Sequence, residues 1–378
     1  MARKIQTITV IGVGLIGGSF AQACAALPDA PEVRGVDVDE EALTRAEKNG
    51  AIAAGALPDA QQARDWLSAG GSDLVVVATP ASAAGTWFSL MDEGGFDGIV
   101  TDTASTKAPI VATACETLGD MTRYVPGHPM AGSEAGGFSA ARADLFRGAY
   151  WILCPDDETD DEAFLALHSL LAELGARIIS IDRAEHDSAV AIVSHVPHML
   201  ACALVELAGA HAGKRRELLR LAAGGFKDTT RIAAGSPELW CGIAMDNREA
   251  LADGLEELGG ILGRFEACVR DGDVQGLTEL LAESADLRRG LPAQWVPSSA
   301  KLTQVRIPMG NRPGVVAEVC GIAGHAGCNI QSIEIDHINE ACAVLELILT
   351  DEGDMGGLGG KLIEKGYDFS IRSLEGDE

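Results

Sequence analysis

The chain is short of basic residues, of paired cysteines and of long apolar runs, and each shortage removes a class of function. Lys and Arg number 29 against 56 Asp and Glu, a formal net charge of −27. A surface that acidic repels nucleic acid and anionic membranes. It also repels anionic substrates, so an enzyme of this charge acting on an acid needs a local basic pocket. Nine cysteines occur without a C-x-x-C pair, which argues against a zinc ribbon or a redox dithiol and for buried, reduced thiols in a cytoplasmic protein. HExxH and HxxEH are both missing, and no metal is expected. No apolar run reaches the ~18–20 residues of a membrane span. The N-terminal MARKIQTITVIGVG has neither the apolar core nor the cleavage site of a signal peptide.

What is present is a globular composition, with 378 residues and 47% apolar content. That length is enough for two or three domains. IQTITVI (5–11), EVRGVD (32–37), DLVVVATP (73–80) and GIVTDT (98–103) read as strands separated by helical segments. Apolar runs without alternation indicate a parallel sheet covered on both faces. AYWILCP (149–155), a helix over 160–174 and ARIISID (176–182) continue the pattern as a last βαβ portion. From 183 to 290 only helical periodicity is found, over 184–211, 214–223, 236–248, 248–270 and 273–289. Residues 291–302 form a linker with few periodic positions. The segment 303–378 returns to βαββαβ, with a hairpin around Asn339–Glu340, the ferredoxin-like order. The expected organisation is a Rossmann-type domain (1–182), a helical domain (183–290), the linker, and a small α/β domain (303–378).

VIGVGLIGGSF carries Gly12-x-Gly14-x-x-Gly17 between a strand and a helix. In that context Gly12 makes the tight turn, Gly14 admits a pyrophosphate, and Gly17 lets the helix approach the strand. Amides at the start of the helix, around Leu15 and Ile16, face the phosphates. Thr79, at the end of the third strand, joins them as a cofactor-binding candidate. Asp37 ends the second strand and can accept hydrogen bonds from ribose hydroxyls. No Arg or Lys follows within five residues, which favours NAD over NADP.

Four polar clusters are candidates for chemistry. TDTASTK (101–107) sits at the carboxyl end of a strand, where Ser105 and Lys107 can meet a substrate; Ser105 or Thr106 could equally cap the next helix. PGHPMAGSEAGG (126–137) reads as a loop holding His128, a candidate general base, and Glu134. EHDSAVAIVSHVPHMLACAL (185–204) puts Ser194, His195 and His198 on one helical face, with Pro197 bending the helix or starting a new one. These groups line a cavity or satisfy each other in the core. GGFKDTTRIA (224–233) brings Lys227 and Arg231 into an acidic chain, either as the basic pocket or as solvated residues at a helix end.

Taken together, GVGLIGGS, TDTASTK, GHPMAGSE, HDSAVAIVSHVPH and GGFKDTTRIA, in this order over about residues 5–290, resemble the prephenate/arogenate dehydrogenase family of tyrosine biosynthesis. The segment 303–375 resembles an ACT domain, an amino-acid-sensing module. The resemblance implies NAD-dependent oxidative decarboxylation of prephenate to 4-hydroxyphenylpyruvate. The alternative is arogenate, or both substrates in a dual-specificity cyclohexadienyl dehydrogenase. It implies His128 as the acceptor for the ring hydroxyl's proton, Ser105 as its partner, and Arg231 on the carboxylate that leaves as carbon dioxide. Ser194, His195 and His198 would line the substrate pocket, with Glu134 at its edge; Asp187, Asp228 and Trp240 match positions near the site. A homodimer through the helical domain is implied. So is tyrosine as an inhibitor, bound at a contact between two ACT domains by Asn311, Arg312, Pro313 and Gly314 with Asn329, Ile330 and Gln331. A fused chorismate mutase segment, carried by some relatives, is not expected. Two other readings stand beside this one: a different NAD enzyme with a helical second domain, and a non-catalytic NAD sensor.

Overall fold

Strand β1 (Thr7–Ile11) is buried almost end to end, the consequence of an apolar run flanked by neighbours on both sides. A computed structural model describes residues 4–133, 135–212, 224–290, 302–310, 312–337, 342–350 and 353–373. The expected helix at 214–223, the turn at 339–340, Glu134, Asn311 and residues 291–301 of the expected linker lie outside them. The chain divides into two compact units, Met1–Leu262 and Gly263–Glu378.

In the first unit β1 is followed by α1 (Leu15–Ala25), β2 (Glu32–Val36), α2 (Glu40–Asn49), β3 (Ala54–Ala56), α3 (Gln61–Trp66), β4 (Leu74–Val77), α4 (Ala84–Glu93), β5 (Ile99–Asp102), α5 (Ala108–Thr117) and β6 (Tyr124–Val125). The sheet is parallel throughout, in the order β3-β2-β1-β4-β5-β6. The order reverses at β1 and β4, so their carboxyl ends open the crevice where a doubly wound sheet binds its ligand. Asp39 caps α2 through the amides of Glu41 and Ala42, and Gly50 ends it in the left-handed region at φ +78°. Apolar side chains of the sheet and its helices pack on both faces, Val10 and Leu74 with Phe20 of α1 on one and Ile11 and Val75 with Phe88 of α4 on the other.

A second sheet follows: β7 (Gly127–Pro129), β8 (Tyr150–Leu153), α6 (Asp161–Glu173) and β9 (Arg177–Ser180). The expected βαβ portion is there, with β8 and β9 parallel, but it belongs to a separate three-stranded sheet with β7 antiparallel to β8. β6 is only two residues long, so the chain leaves the first sheet almost at once and begins the next edge. His128 therefore lies in a strand rather than the expected loop, paired with Ile152.

The helical part contains α7 (Arg183–Val190), α8 (Val196–Ala212), α9 (Gly224–Thr230), α10 (Pro237–Asp246), α11 (Arg248–Asp271) and α12 (Val274–Gly290). The helix expected over 184–211 is interrupted by a π-turn at Ala191–His195. Pro197 cannot donate to the carbonyl four residues back, and the turn ahead of it widens instead of kinking. Arg183–His211 is nevertheless 29 residues of near-continuous helix, long and apolar enough by length and composition to cross a membrane, with 33% of its most apolar window buried. This corrects the expectation of no such segment. An uninterrupted apolar run is a stricter test than mean hydropathy, which tolerates the Ser and His residues along this helix.

The second unit takes in the end of α11 and all of α12, and beyond them β10 (Leu302–Gly310), α13 (Val315–His325), β11 (Ile330–His337), β12 (Cys342–Thr350), α14 (Met355–Glu364) and β13 (Ser370–Ser373). Its sheet is antiparallel along every ladder, in the order β11-β12-β10-β13. Alternate residues of β10 and β12, among them Val305, Ile307, Leu345 and Leu347, pack against Val319 of α13 and Leu358 and Leu362 of α14. Burial of the cysteines is only partial: Cys24, Cys154 and Cys328 are buried, whereas Cys115 and Cys241 are exposed.

Candidate active site

The nucleotide crevice is shaped by what its glycines lack. Gly12 has φ +92°, and a Cβ there would lie 2.7 Å from the Ala78 carbonyl oxygen. At Gly17 a Cβ would lie 2.0 Å from the Gly12 oxygen, whereas one at Gly14 would meet nothing within 4 Å. The loop is thus tight beneath and open at Gly14, where α1 begins without a side-chain cap. Its first amides, at Leu15 and Ile16, have the geometry that receives a phosphate. Asp37 is held by the amides of Val13 at 2.6 Å and Asp39 at 2.9 Å, which fixes its carboxylate beside this loop. The hydroxyl of Thr79, next to the Gly12 turn, is buried without a hydrogen-bond partner. An open glycine, uncapped amides, an oriented carboxylate and an orphaned hydroxyl fit a dinucleotide.

A chain of buried polar side chains runs away from β7. His128 is 7% exposed, and its Nδ1 lies 2.9 Å from Nε2 of His186, which is fully buried. Nδ1 of His186 lies 2.7 Å from Oδ1 of Asp187. That carboxylate also accepts the amides of Lys107 at 2.7 Å and Ala108 at 2.8 Å, the first turn of α5. The expected cap by Ser105 or Thr106 is replaced by Asp187, an acid from another helix 80 positions along. Burial favours protonation of Asp187, but the hydrogen bonds from His186 and from the Ala108 and Lys107 amides outweigh it and hold the pKa below the ordinary value.

Beyond Asp187, Asn247 donates to its carbonyl at 2.7 Å and sits 3.3 Å from Nδ1 of His195. The His195 ring meets Trp240 edge-on at 6.1 Å, and His198 stacks on the same indole at 3.5 Å. Nδ1 of His198 is buried without a partner. Burial first, with nearby positive or polarised groups adding to it, pushes His128 well below the usual imidazole value. Burial likewise lowers His198, and takes His195 down to about 4. Three neutral imidazoles therefore line this cluster at physiological pH.

Lys107 does not face a substrate, as its place after β5 suggests. It is fully buried, with Nζ 2.5 Å from Oδ1 of Asp102 and 2.5 Å from the Gly127 carbonyl. Tyr124 donates to the other carboxylate oxygen at 2.8 Å. A charge read from sequence carries no sign of burial; here it anchors the residue before His128. Ser105 is half-buried on the loop between β5 and α5. Ser194 is half-buried in the π-turn. Arg231 is exposed on a 3-10 turn (Arg231–Ala234), and both this turn and α9 pack against α8, the helix of His198. Lys227 and Asp228 are exposed on α9. The sequence reading missed His186 and Asn247. His186 stands beside the singled-out Asp187, and a histidine–acid pair at a helix start was the available signal.

In the second unit, Arg312 pairs with Glu318, and Tyr367 lies 3.1 Å from both. Pro313 and Gly314 (φ +84°) precede α13. Asn329 precedes β11, which Ile330 opens and whose register shifts between Ile330 and Ser332, around Gln331. One chain does not bring Arg312–Gly314 and Asn329–Gln331 together. Gly310 pairs with Cys342 and Ile330 with Leu349, and between those points β12 rises roughly 23 Å.

Comparison with known proteins agrees with this architecture. The family profile for the prephenate dehydrogenase nucleotide-binding domain matches residues 25–180, and that for the prephenate dehydrogenase dimerization domain matches 182–283. A prephenate dehydrogenase of Bacillus subtilis is 30% identical over 90% of this chain and 91% of its own. The structure of Aquifex aeolicus prephenate dehydrogenase with hydroxyphenyl propionate and NAD+ superposes with a TM-score of 0.71, at 26% identity, over 77% of this chain and all of the other. A Synechocystis arogenate dehydrogenase gives 0.63 at 29% identity, over 75% of this chain and 99% of its own. With an NAD-type crevice and a buried histidine cluster on one doubly wound scaffold, the chain belongs to the prephenate dehydrogenase family of NAD-dependent oxidoreductases.

Proposed function

We propose that the protein oxidises and decarboxylates prephenate to 4-hydroxyphenylpyruvate. The observation that carries this reading is His128: a buried imidazole kept neutral by its surroundings, with one nitrogen committed to His186. Bound NAD+ supplies the hydride acceptor, held at Gly12, Gly14, Leu15, Ile16, Gly17, Asp37 and Thr79. His128 accepts the proton of the ring hydroxyl as the carbon beneath it is oxidised, and Ser105 orients that hydroxyl. General-base assistance of this kind is worth about 10²–10⁴-fold. Arg231 holds the ring carboxylate by charge until it departs as neutral carbon dioxide, answering the need for local positive charge on an acidic protein. His198, stacked on Trp240 with an unsatisfied nitrogen, and Ser194, His195 and Glu134 position the rest of the substrate.

The helical domain (183–290) forms a homodimer. Its exposed apolar residues Ile192, Val193, Val205 and Leu207 support burial against a second copy in the cytoplasm rather than in a bilayer. Residues 303–378 are an ACT-type regulatory module of ferredoxin-like fold, and the 4-1-3-2 strand order supports this. Tyrosine binds where Asn311–Gly314 of one copy meet Asn329–Gln331 of another, since a single copy keeps Arg312–Gly314 far from Asn329–Gln331.

The test is NADH formation by purified protein with prephenate and arogenate in parallel, with and without tyrosine. Turnover of prephenate that tyrosine suppresses is the expected result. Turnover of arogenate alone reassigns the substrate. Binding of NAD+ without turnover of either overturns the reading.

A further inference from the structure

We propose that His186, backed by Asp187, is a positioning residue that fixes which nitrogen of His128 carries the proton. The inference rests on the reading of His128 as the base. Asp187 is an ionised carboxylate with three donors on its two oxygens, so it can only accept. Nδ1 of His186, 2.7 Å away, must therefore carry a proton. We take His186 as the neutral imidazole, with one donor and one acceptor, so that Nε2 of His186 is a lone pair. The group 2.9 Å from that lone pair, Nδ1 of His128, must then be an N–H. By elimination the free lone pair of His128 is on Nε2, which no described residue engages.

The geometry does two things at once. It leaves His128 with its basic nitrogen on the side away from His186. It also ties that orientation to α5, because the carboxylate that polarises His186 is the one holding the Lys107 and Ala108 amides, and the Ser105 loop leads directly into them. When Nε2 takes the substrate's proton, Nδ1–H still donates to His186, and Asp187 faces the new cation through one imidazole without being protonated itself.

Two substitutions separate this role from a structural one. His186→Gln can place an amide oxygen where Nε2 was, accepting from His128 while losing the bond to Asp187. His186→Asn can keep the donor to Asp187 but is too short to reach His128. With prephenate, kcat should fall by about 10²-fold or more in His186→Asn, the scale of a misoriented base. In His186→Gln it should fall by about tenfold, the low end of the scale of one hydrogen bond to a charged group. The KM for NAD+ should be unchanged in both. The reverse order, with Asn the milder change, means that His186 serves only to hold Asp187 and α5, and overturns the proposal.

A second readout needs neither substrate nor the kinetics of a His186 variant. In 15N-histidine NMR of the wild-type protein, with His128 assigned by its loss in His128→Gln, the proton should reside on Nδ1. A proton on Nε2 overturns the proposal whatever the activity. Nδ1–H without turnover of prephenate or arogenate leaves the relay standing and removes the dehydrogenase reading instead.

Discussion

The α/β part of the first unit and its helical part bury their apolar residues differently. One face of the main sheet alone gathers a continuous cluster from Ile5 to Leu174, with Phe20, Phe146 and Trp151 at 0% exposure. The helical part gathers a much smaller cluster of Val196, Ala244 and Leu251, buries Val190, Ala191 and Ala201 besides, and leaves Val193 at 67% and Leu207 at 59% exposed. A sheet with two covered faces is complete within one chain; an apolar helix surface is complete only when something lies on it. The lesson is that apolar residues close a core within one chain in the first region and stand exposed in the second, on the surface the proposed dimer would cover.

That contrast can be broken most severely at Lys107. Lys107→Met leaves Asp102 charged and unpaired in the interior, a loss of about 3–5 kcal/mol, read as a lower urea midpoint with an unchanged slope. Gly17→Val forces α1 off β1 and should cost about 1–3 kcal/mol, with loss of NAD+ binding by calorimetry ahead of loss of fold. Acid sharpens the comparison from the helical side. His195 is neutral when folded, with a pKa near 4, and titrates near 6.5 when unfolded. Above pH 6.5 both states are neutral and nothing is lost. As pH falls from 6.5 towards 4 the unfolded chain binds the proton first, so stability declines; His128, shifted the same way, adds to it. Thermal melts across that window should show the fall, and His195→Gln should flatten it. The gentlest change is Val193→Lys with Leu207→Lys. It should alter the intrinsic stability of a single chain by no more than about 0.5 kcal/mol each, yet shift sedimentation from dimer to monomer.

Legibility in the sequence followed range. Gly12-x-Gly14-x-x-Gly17, the strands around it and the βαββαβ order of the last segment are local patterns, and periodicity displays them. β3 and β6 are too short to show any. The placement of His128 in a strand depends on β8, more than twenty positions away, and the His186 bond spans 58 positions. Lys107 looked like a substrate contact because charge is visible in sequence and an Asp102–Tyr124 pocket around it is not. A π-turn has no period of its own, so the sequence over 184–211 showed only a bend or restart at Pro197 and not the widened turn ahead of it.

That turn has a consequence as a matter of phase. Five residues do the work of about four in Ala191–His195, so the register of α8 relative to α7 is offset by one position, about 100° of rotation. Deleting one residue there would restore an even helix. His186 and Asp187 would stay where they are, while His198 would swing off the face of Trp240. The extra residue works like a tooth added to a gear: it decides which side chains of the second helix mesh with a site defined by the first.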